Sequence, residues 1–153
     1  MSSTLKVEFD DPHAGWVGLT IRADTDAITL RISYTPFNTL DEMISAVHGL
    51  TTYDDRKSVR LSEEPEVCEL RFECNKSTID LEVCRRASFQ HPRCQTLLKT
   101  RGSTLEMCLP FWRALRNLQT RFSDTEFEQR WCRPFPASGM DELTKHLRRL
   151  RGQ

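Results

Sequence analysis

An alternation of apolar and polar residues with a period of two is the feature that most constrains this chain. Such a period places every second side chain on one face of a β-strand. Short polar links separate the alternating runs, and the turn at Asp24, Thr25 and Asp26 is typical of an antiparallel hairpin. The sequence therefore predicts an antiparallel meander of five to seven strands, drawn from residues 5–9, 16–22, 28–34, 57–61, 67–74, 77–84 and 95–102.

The period changes to that of a helix between two of these runs. Apolar residues recur there at helical spacing, at Leu40, Met43, Ile44 and Val47. Thr39 and Glu42 match a capping box, and Asn38 is an alternative cap. Gly49 can adopt the left-handed conformation that ends a helix. The sequence predicts one inserted helix over residues 39–49.

The last third of the chain is predicted to be mainly helical, over residues 103–151. Ser103 with Glu106 and Ser123 with Glu126 match capping boxes. Pro110 either kinks the first of these helices or begins it, in which case residues 104–109 form a strand. The terminal helix carries an apolar stripe of Met140, Leu143, Leu147 and Leu150. We expect a single α+β domain over residues 1–153, in which residues 1–86 form mainly sheet and the C-terminal helices pack on one face.

The six cysteines are scattered and contain no CxxC pair. Cys68 and Cys74 share one face of a predicted strand, but six residues of strand separate them by about 20 Å. They are too far apart to form a disulfide or to bind one metal ion. The sequence predicts reduced thiols that fill the core, with no metal and no cofactor.

Motifs of catalysis are missing from the sequence. There is no GxSxG, no HExxH and no glycine-rich phosphate loop. A nucleophile at Cys84 or Cys94 with His91 as its base remains an alternative, as do paired acids in a cleft. No apolar run approaches the roughly 18 residues that a membrane span requires, and no secretion signal is visible. We expect a cytoplasmic protein that is not an enzyme.

The zero net charge conceals a strong polarity along the chain. Residues 1–84 carry 8 basic and 16 acidic side chains, whereas residues 85–153 carry 14 basic and 6 acidic ones. Either the acidic sheet neutralises the basic helices, or an acidic face attracts a basic partner. The candidate partner-binding residues are Trp16, Asp24, Asp26, Tyr53, Asp54, Asp55, Glu63, Glu64 and Glu66. The alternatives are that Trp16 begins a core strand and that the acids only solvate loops.

The basic stretch TKHLRRLRG, residues 144–152, raises a different possibility. Four to five cations near a phosphate backbone would bind nucleic acid in a salt-dependent way. The same stretch also carries part of the apolar stripe, which favours a docked helix with a solvated basic face. A nucleic-acid-binding or structural adaptor is therefore the second functional hypothesis.

Three segments, SYTPFNTLDEMISAVHGL, SEEPEVCELRFECNKSTIDLEV and FWRALRNLQ, resemble small bacterial immunity proteins that are encoded beside polymorphic toxins. The resemblance covers roughly residues 16–122. It implies a folded α+β protein without enzymatic activity, which binds its cognate toxin domain and blocks the active site or the access of substrate. The resemblance assigns no individual residue to the interface.

Overall fold

The structure is a computed structural model that describes residues 4–52 and 55–152. Seven strands and four helices lie within these residues. They are β1 (Leu5–Phe9), β2 (Trp16–Ala23), β3 (Asp26–Ser33), α1 (Thr39–Thr51), β4 (Arg56–Ser62), β5 (Val67–Asn75), β6 (Thr78–Arg86), β7 (Gln95–Ser103), α2 (Thr104–Arg121), α3 (Asp124–Trp131) and α4 (Ala137–Arg151).

The strands form one antiparallel sheet in the order of the sequence, from β1 to β7, so the predicted meander is confirmed. Neighbouring strands pair along most of their length, except that β3 and β4 share the single registered pair Ser33 and Ser62. The sheet thus consists of two ribbons, β1–β3 and β4–β7, joined at one point. β7 also contacts β2 and β3, which shows that the sheet is strongly curved.

The core lies between one face of this sheet and the helices. Alternate residues such as Leu19 of β2, Leu70 of β5 and Val83 of β6 point into it and are fully buried. α1, α2 and α4 contact one another over this face, with α1 also against β4 and α2 against β1 and β7. We call the opposite face of β4–β7 the outer face. It carries charged side chains, and none of the helices among the described residues packs on it.

α1 begins and ends differently from its prediction. Asn38 occupies the N-cap position but its side chain makes no capping hydrogen bond. The predicted capping box is wrong, because Thr39 donates to the Arg60 carbonyl and Glu42 binds the Arg60 guanidinium. Gly49 does not end the helix, which continues to Thr51. Contacts with β4 therefore replace the local capping bonds.

α2 resolves the ambiguity around Pro110. The helix runs without interruption from Thr104 to Arg121, so the alternative strand over residues 104–109 is wrong. The predicted capping box is confirmed, since Ser103 accepts from the Glu106 amide and Glu106 accepts from the Ser103 amide. Pro110 is buried inside the helix, where it removes one intrahelical bond.

α3 and α4 form where the sequence predicted helices. Ser123 caps α3 by accepting from the Glu126 amide, which is one half of the predicted capping box, and Phe127 and Trp131 of this helix are buried. Arg121 at the end of α2 donates to the Phe9 carbonyl and pairs with Asp11 at 2.6 Å, which ties the helical layer to β1. None of the helices within the described residues is long and apolar enough to cross a membrane.

Candidate functional site

The acidic residues of the predicted partner surface lie in three separate places. Asp24 and Asp26 flank the turn between β2 and β3. Asp55 precedes β4, and the glutamates Glu63, Glu64 and Glu66 follow β4 at its other end, about 26 Å away by the rise of a strand. Tyr53 and Asp54 lie outside the described residues. The fold therefore does not bring the described acids together into one surface.

Partners within the chain already occupy this group of glutamates. The Arg85 Nε lies 3.0 Å from Oε1 of Glu63 and 3.7 Å from Oε2 of Glu66. Glu63 also accepts a hydrogen bond from the Cys68 thiol at 3.0 Å, and Glu64 accepts one from the Thr35 hydroxyl at 3.3 Å. These carboxylates hold the β4–β5 loop against β6 and the loop after β3.

Trp16 begins β2, but its side chain is not part of the core. Val17 and Leu19 point inward and are buried, so the strand period places Trp16 on the opposite face. Trp16 is half-buried and does not belong to the cluster of core residues. This position is compatible with a role in binding, beside the paired residue Ser33.

The outer face of β4–β7 carries charges in a cross-strand pattern that the sequence analysis missed. The strand register aligns Arg56, Glu73, Asp80 and Arg101 in one row and Ser58, Arg71, Glu82 and Lys99 in the next. The two inner strands supply the acids, and the two flanking strands supply most of the bases. The signal was present as charged residues at every second position of these runs.

Most of these charges pair across the strands. Across neighbouring strands, Arg56 lies 3.8 Å from Glu73 and Arg71 lies 4.0 Å from Glu82. Arg71 also lies 3.5 Å from Glu69 of its own strand. Opposite charges on adjacent strands contribute about 0.2 to 1 kcal/mol each, and exposed pairs lie at the lower end. Such pairs can exchange partners with an incoming protein at little cost.

Two exposed cations, Lys99 and Arg101, lie on β7 at one edge of this face. Arg101 is 63% exposed although it pairs with Asp80. Lys99 lies opposite Glu82 in the register, yet Glu82 accepts its hydrogen bond from Thr96. Lys99 forms no ion pair with any residue in the part of the chain that the structure describes. The ammonium group of Lys99 can therefore pair with an acidic group of a partner.

The two rows line a groove of about 960 Å³, which we call the sheet groove. It is lined by Arg56, Lys57, Ser58, Glu69, Arg71, Phe72, Glu73, Asp80, Leu81, Glu82, Lys99, Thr100 and Arg101. Its volume lies within the range of small-molecule pockets, but nine of its thirteen lining residues are charged, which differs from the apolar lining of such pockets.

An aromatic pair lies beyond one end of the sheet groove. Phe89, in the loop between β6 and β7, is 57% exposed, and its ring centroid lies 5.7 Å from that of Phe37. The Arg60 guanidinium lies over the Phe37 ring at 4.4 Å and is held in place by Glu42. Arg60 is two residues from Ser58 on the same strand face. The pair therefore adds an apolar anchor point next to the charged rows.

Comparisons with known proteins do not identify the chain. No family model, no curated protein and no solved structure matches it. The function of the sheet groove is therefore inferred from its own side chains. Exposed aromatic and arginine side chains next to each other are typical of the centres of protein–protein interfaces.

The thiols near this face are poorly suited to catalysis. Burial, together with a hydrogen bond with Cys94, raises the pKa of the Cys84 thiol to about 12. A reactive cysteine requires the opposite shift, because the thiolate is the nucleophile. The Nδ1 atom of His91 accepts from the Arg93 amide. No group of three or more metal-ligating side chains occurs among residues 4–52 and 55–152.

This protection of Cys84 predicts an order of labelling by iodoacetamide at pH 8. A thiol with a pKa of about 12 holds roughly a thousandth of the thiolate of an ordinary cysteine at this pH. We expect Cys132, which is exposed, to be alkylated while Cys84 and Cys108 stay unmodified. Peptide mass spectrometry measures the labelling, and the protein in concentrated urea is the control. Equally fast labelling of Cys84 and Cys132 would restore the hypothesis of a cysteine nucleophile.

Proposed function

We propose that this protein is a non-enzymatic inhibitor that binds a partner protein domain with the outer face of β4–β7. The observation that carries this proposal is the exposed ring of Phe89, which packs against the buried Phe37 beside the charged sheet groove. The resemblance to immunity proteins supplies the class of partner, which is the toxin domain of a polymorphic toxin system. Inhibition then consists of covering the toxin's active site or the path of its substrate.

The arrangement supplies both parts of a protein interface. A stable interface buries roughly 800 Å² on each partner, and a few aromatic and arginine residues contribute most of its binding energy. Phe89 offers the aromatic anchor, since its ring is exposed before any partner binds. Arg71 and Lys99 offer cations to the partner's acids, while Glu73 and Asp80 offer anions to its bases. This alternation selects a partner with the matching order of charges.

The proposed surface differs from the acidic surface that the sequence predicted. The acids of the sequence prediction do not form one surface, and Glu63 and Glu66 are paired with Arg85. Of the remaining candidates, Asp55 directly precedes Arg56 at the opening of the sheet groove. We therefore propose that the partner-binding surface of this chain has mixed charge. Charge complementarity with the partner then affects specificity and the association rate more than affinity.

A co-expression experiment tests this proposal with the toxin domain encoded next to the chain. We expect the toxin domain to arrest growth alone and the intact chain to restore growth. Phe89→Asp should abolish the rescue and weaken binding at least about 30-fold, as expected of an interface anchor that contributes about 2 kcal/mol. Isothermal titration calorimetry measures the affinity of the purified proteins.

Ser45→Asp is the matched control, because it adds the same charge at an exposed position of α1, away from the outer face. This variant should rescue growth as well as the original chain does. Full rescue by Phe89→Asp would exclude the aromatic pair as an anchor. A neighbouring protein that is harmless alone, or that stays toxic beside the intact chain, would contradict the immunity function itself.

A further inference from the structure

The helical layer contains a second groove, on the side of the molecule away from the outer face. It lies between α2 and α4, has a volume of about 340 Å³, and is called the helix groove below. Its lining comprises Trp112, Arg116, Asp141, Thr144, Lys145 and Arg148. Three cations and one carboxylate therefore surround one aromatic ring.

The arginines around the helix groove differ from those of the sheet in their partners. On the sheet, arginines such as Arg71 and Arg85 pair with acids of the same chain. On the helices, four exposed arginine side chains form no ion pair or hydrogen bond with any other described residue, namely Arg113, Arg148, Arg149 and Arg151. Arg116 donates only to the neutral side chain of Gln119. Lys145 pairs with Glu142 at 3.5 Å, so the arginines carry the charge that the described part of the chain does not neutralise.

The aromatic ring of the helix groove is held in a defined orientation. The Trp112 indole N–H donates to the Thr144 hydroxyl at 2.9 Å, and that hydroxyl donates to the Met140 carbonyl at 2.8 Å. These bonds connect α2 to α4 through the ring. The half-buried indole, which packs against the core on one side, accordingly offers its remaining surface between the cationic side chains.

We infer that the helix groove binds single-stranded nucleic acid, with the arginines on the phosphates and Trp112 against a base. Guanidinium groups match the geometry of phosphate oxygens, and arginine outnumbers lysine on this face. Stacking of bases on aromatic side chains beside a cationic groove is the common way to hold a single strand without sequence preference. An acidic peptide would use the cations but would leave the indole ring without a role.

This binding is independent of the proposed toxin inhibition, because the two grooves lie on opposite sides of the sheet. Its test needs only the full chain and a fluorescein-labelled 20-nucleotide oligothymidylate, followed by anisotropy at 50 and 200 mM NaCl. With three phosphates neutralised, the affinity follows a logarithmic salt slope of about −2, so we expect a loss of about 20-fold between these concentrations.

Charge reversal assigns the binding to the helix groove. Arg148→Glu should weaken binding at least 10-fold at 50 mM NaCl and make the salt slope shallower by about 1. Arg22→Glu makes the same change of charge on β2, where Arg22 is 53% exposed, and should alter the affinity less than threefold. Equal losses in the two variants would show attraction to the overall charge and overturn the inference.

A second pair of measurements separates nucleic acid from other polyanions. Trp112→Leu should reduce the affinity at least fivefold without altering the salt slope, because it removes stacking and leaves the cations. An unlabelled 20-residue polyglutamate should compete at least 10-fold more weakly than the unlabelled oligonucleotide. Equal competition by polyglutamate would assign the groove to acidic peptides, and the absence of saturable binding to the intact chain at 50 mM NaCl would exclude the site.

Discussion

Replacing Phe111 with alanine is expected to lower the free energy of unfolding by about 3 to 5 kcal/mol. Phe111 of α2 is fully buried, and its ring meets that of Phe72 of β5 edge to face, with 5.5 Å between the centroids. This pair joins the helical layer to the centre of the sheet. A domain of this size has a stability of roughly 5 to 15 kcal/mol, so the substitution removes a large part of it.

Urea unfolding, followed by circular dichroism and tryptophan fluorescence, measures this loss. Phe89→Ala provides a control with identical chemistry at a side chain that is 57% exposed, and it should cost less than about 1 kcal/mol. Losses of similar size at both positions would contradict the assignment of Phe111 to the core and of Phe89 to the surface.

Gly15→Ala is expected to destabilise the protein by about 2 to 4 kcal/mol, because two costs combine. Gly15 has a φ of +81°, a conformation that costs a residue with a side chain about 1 to 2 kcal/mol. A β-carbon at this position would also lie 2.4 Å from Cδ1 of Tyr34, which adds a cost of overpacking. The Tyr34 ring cannot withdraw freely, since it packs against Trp131 at 6.5 Å.

This position joins three parts of the fold. The Gly15 amide donates to the Arg130 carbonyl of α3, and the Gly15 carbonyl accepts from the Tyr34 amide at the end of β3. Gly139→Ala in α4 is the matched control, where the added β-carbon would lie 3.2 Å from a methyl group of Ile44. A gain in helix propensity of about 1 kcal/mol offsets that contact. If Gly15→Ala melts at the same temperature as the control, the claim that a side chain is strained at position 15 is wrong.

The sheet groove and the helix groove both follow from the uneven distribution of acidic and basic residues along the chain, but in different ways. The sheet brings acids of β5 and β6 beside arginines of β4 and β7, so its charges are largely satisfied within the chain. On α4, Glu142 pairs with Lys145 and Asp141 lines the helix groove, but Arg148 forms no ion pair with any described residue. The chain therefore combines a mixed-charge groove suited to a protein with a cationic groove suited to a polyanion, and both can be occupied together.

Patterns within short segments predicted the local structure correctly. The alternating runs became strands, and the turn predicted at Asp24, Thr25 and Asp26 formed over Asp24 and Thr25, with Asp26 already paired with Ala23. The capping box at Ser103 formed because both of its partners lie within one helical turn. In these cases the interacting groups are close in sequence, so tertiary contacts did not have to select between alternatives.

Prediction failed where a distant partner competed with a local one. Glu42 satisfies the local capping pattern, but the guanidinium and amide of Arg60 on β4 take its carboxylate. A charge-assisted bond of this kind is roughly twice as strong as a neutral one. Gly49 fits the end of a helix, yet the packing of Leu50 and Thr51 extends α1 beyond it. Neither partner is visible from the spacing of residues in α1.

The sequence alone determined the class of fold, the number of layers and the absence of familiar catalytic motifs, because hydrophobic periods of two and 3.6 dictate which faces must be buried. The tertiary structure decided the sites. Register aligned charges from four strands into the sheet groove, and helix packing placed Trp112 of α2 beside the cations of α4. The contact of Phe89 with Phe37 joins residues that are 52 positions apart in the chain. Long-range contacts create binding surfaces, and short-range patterns do not encode which distant residues will meet.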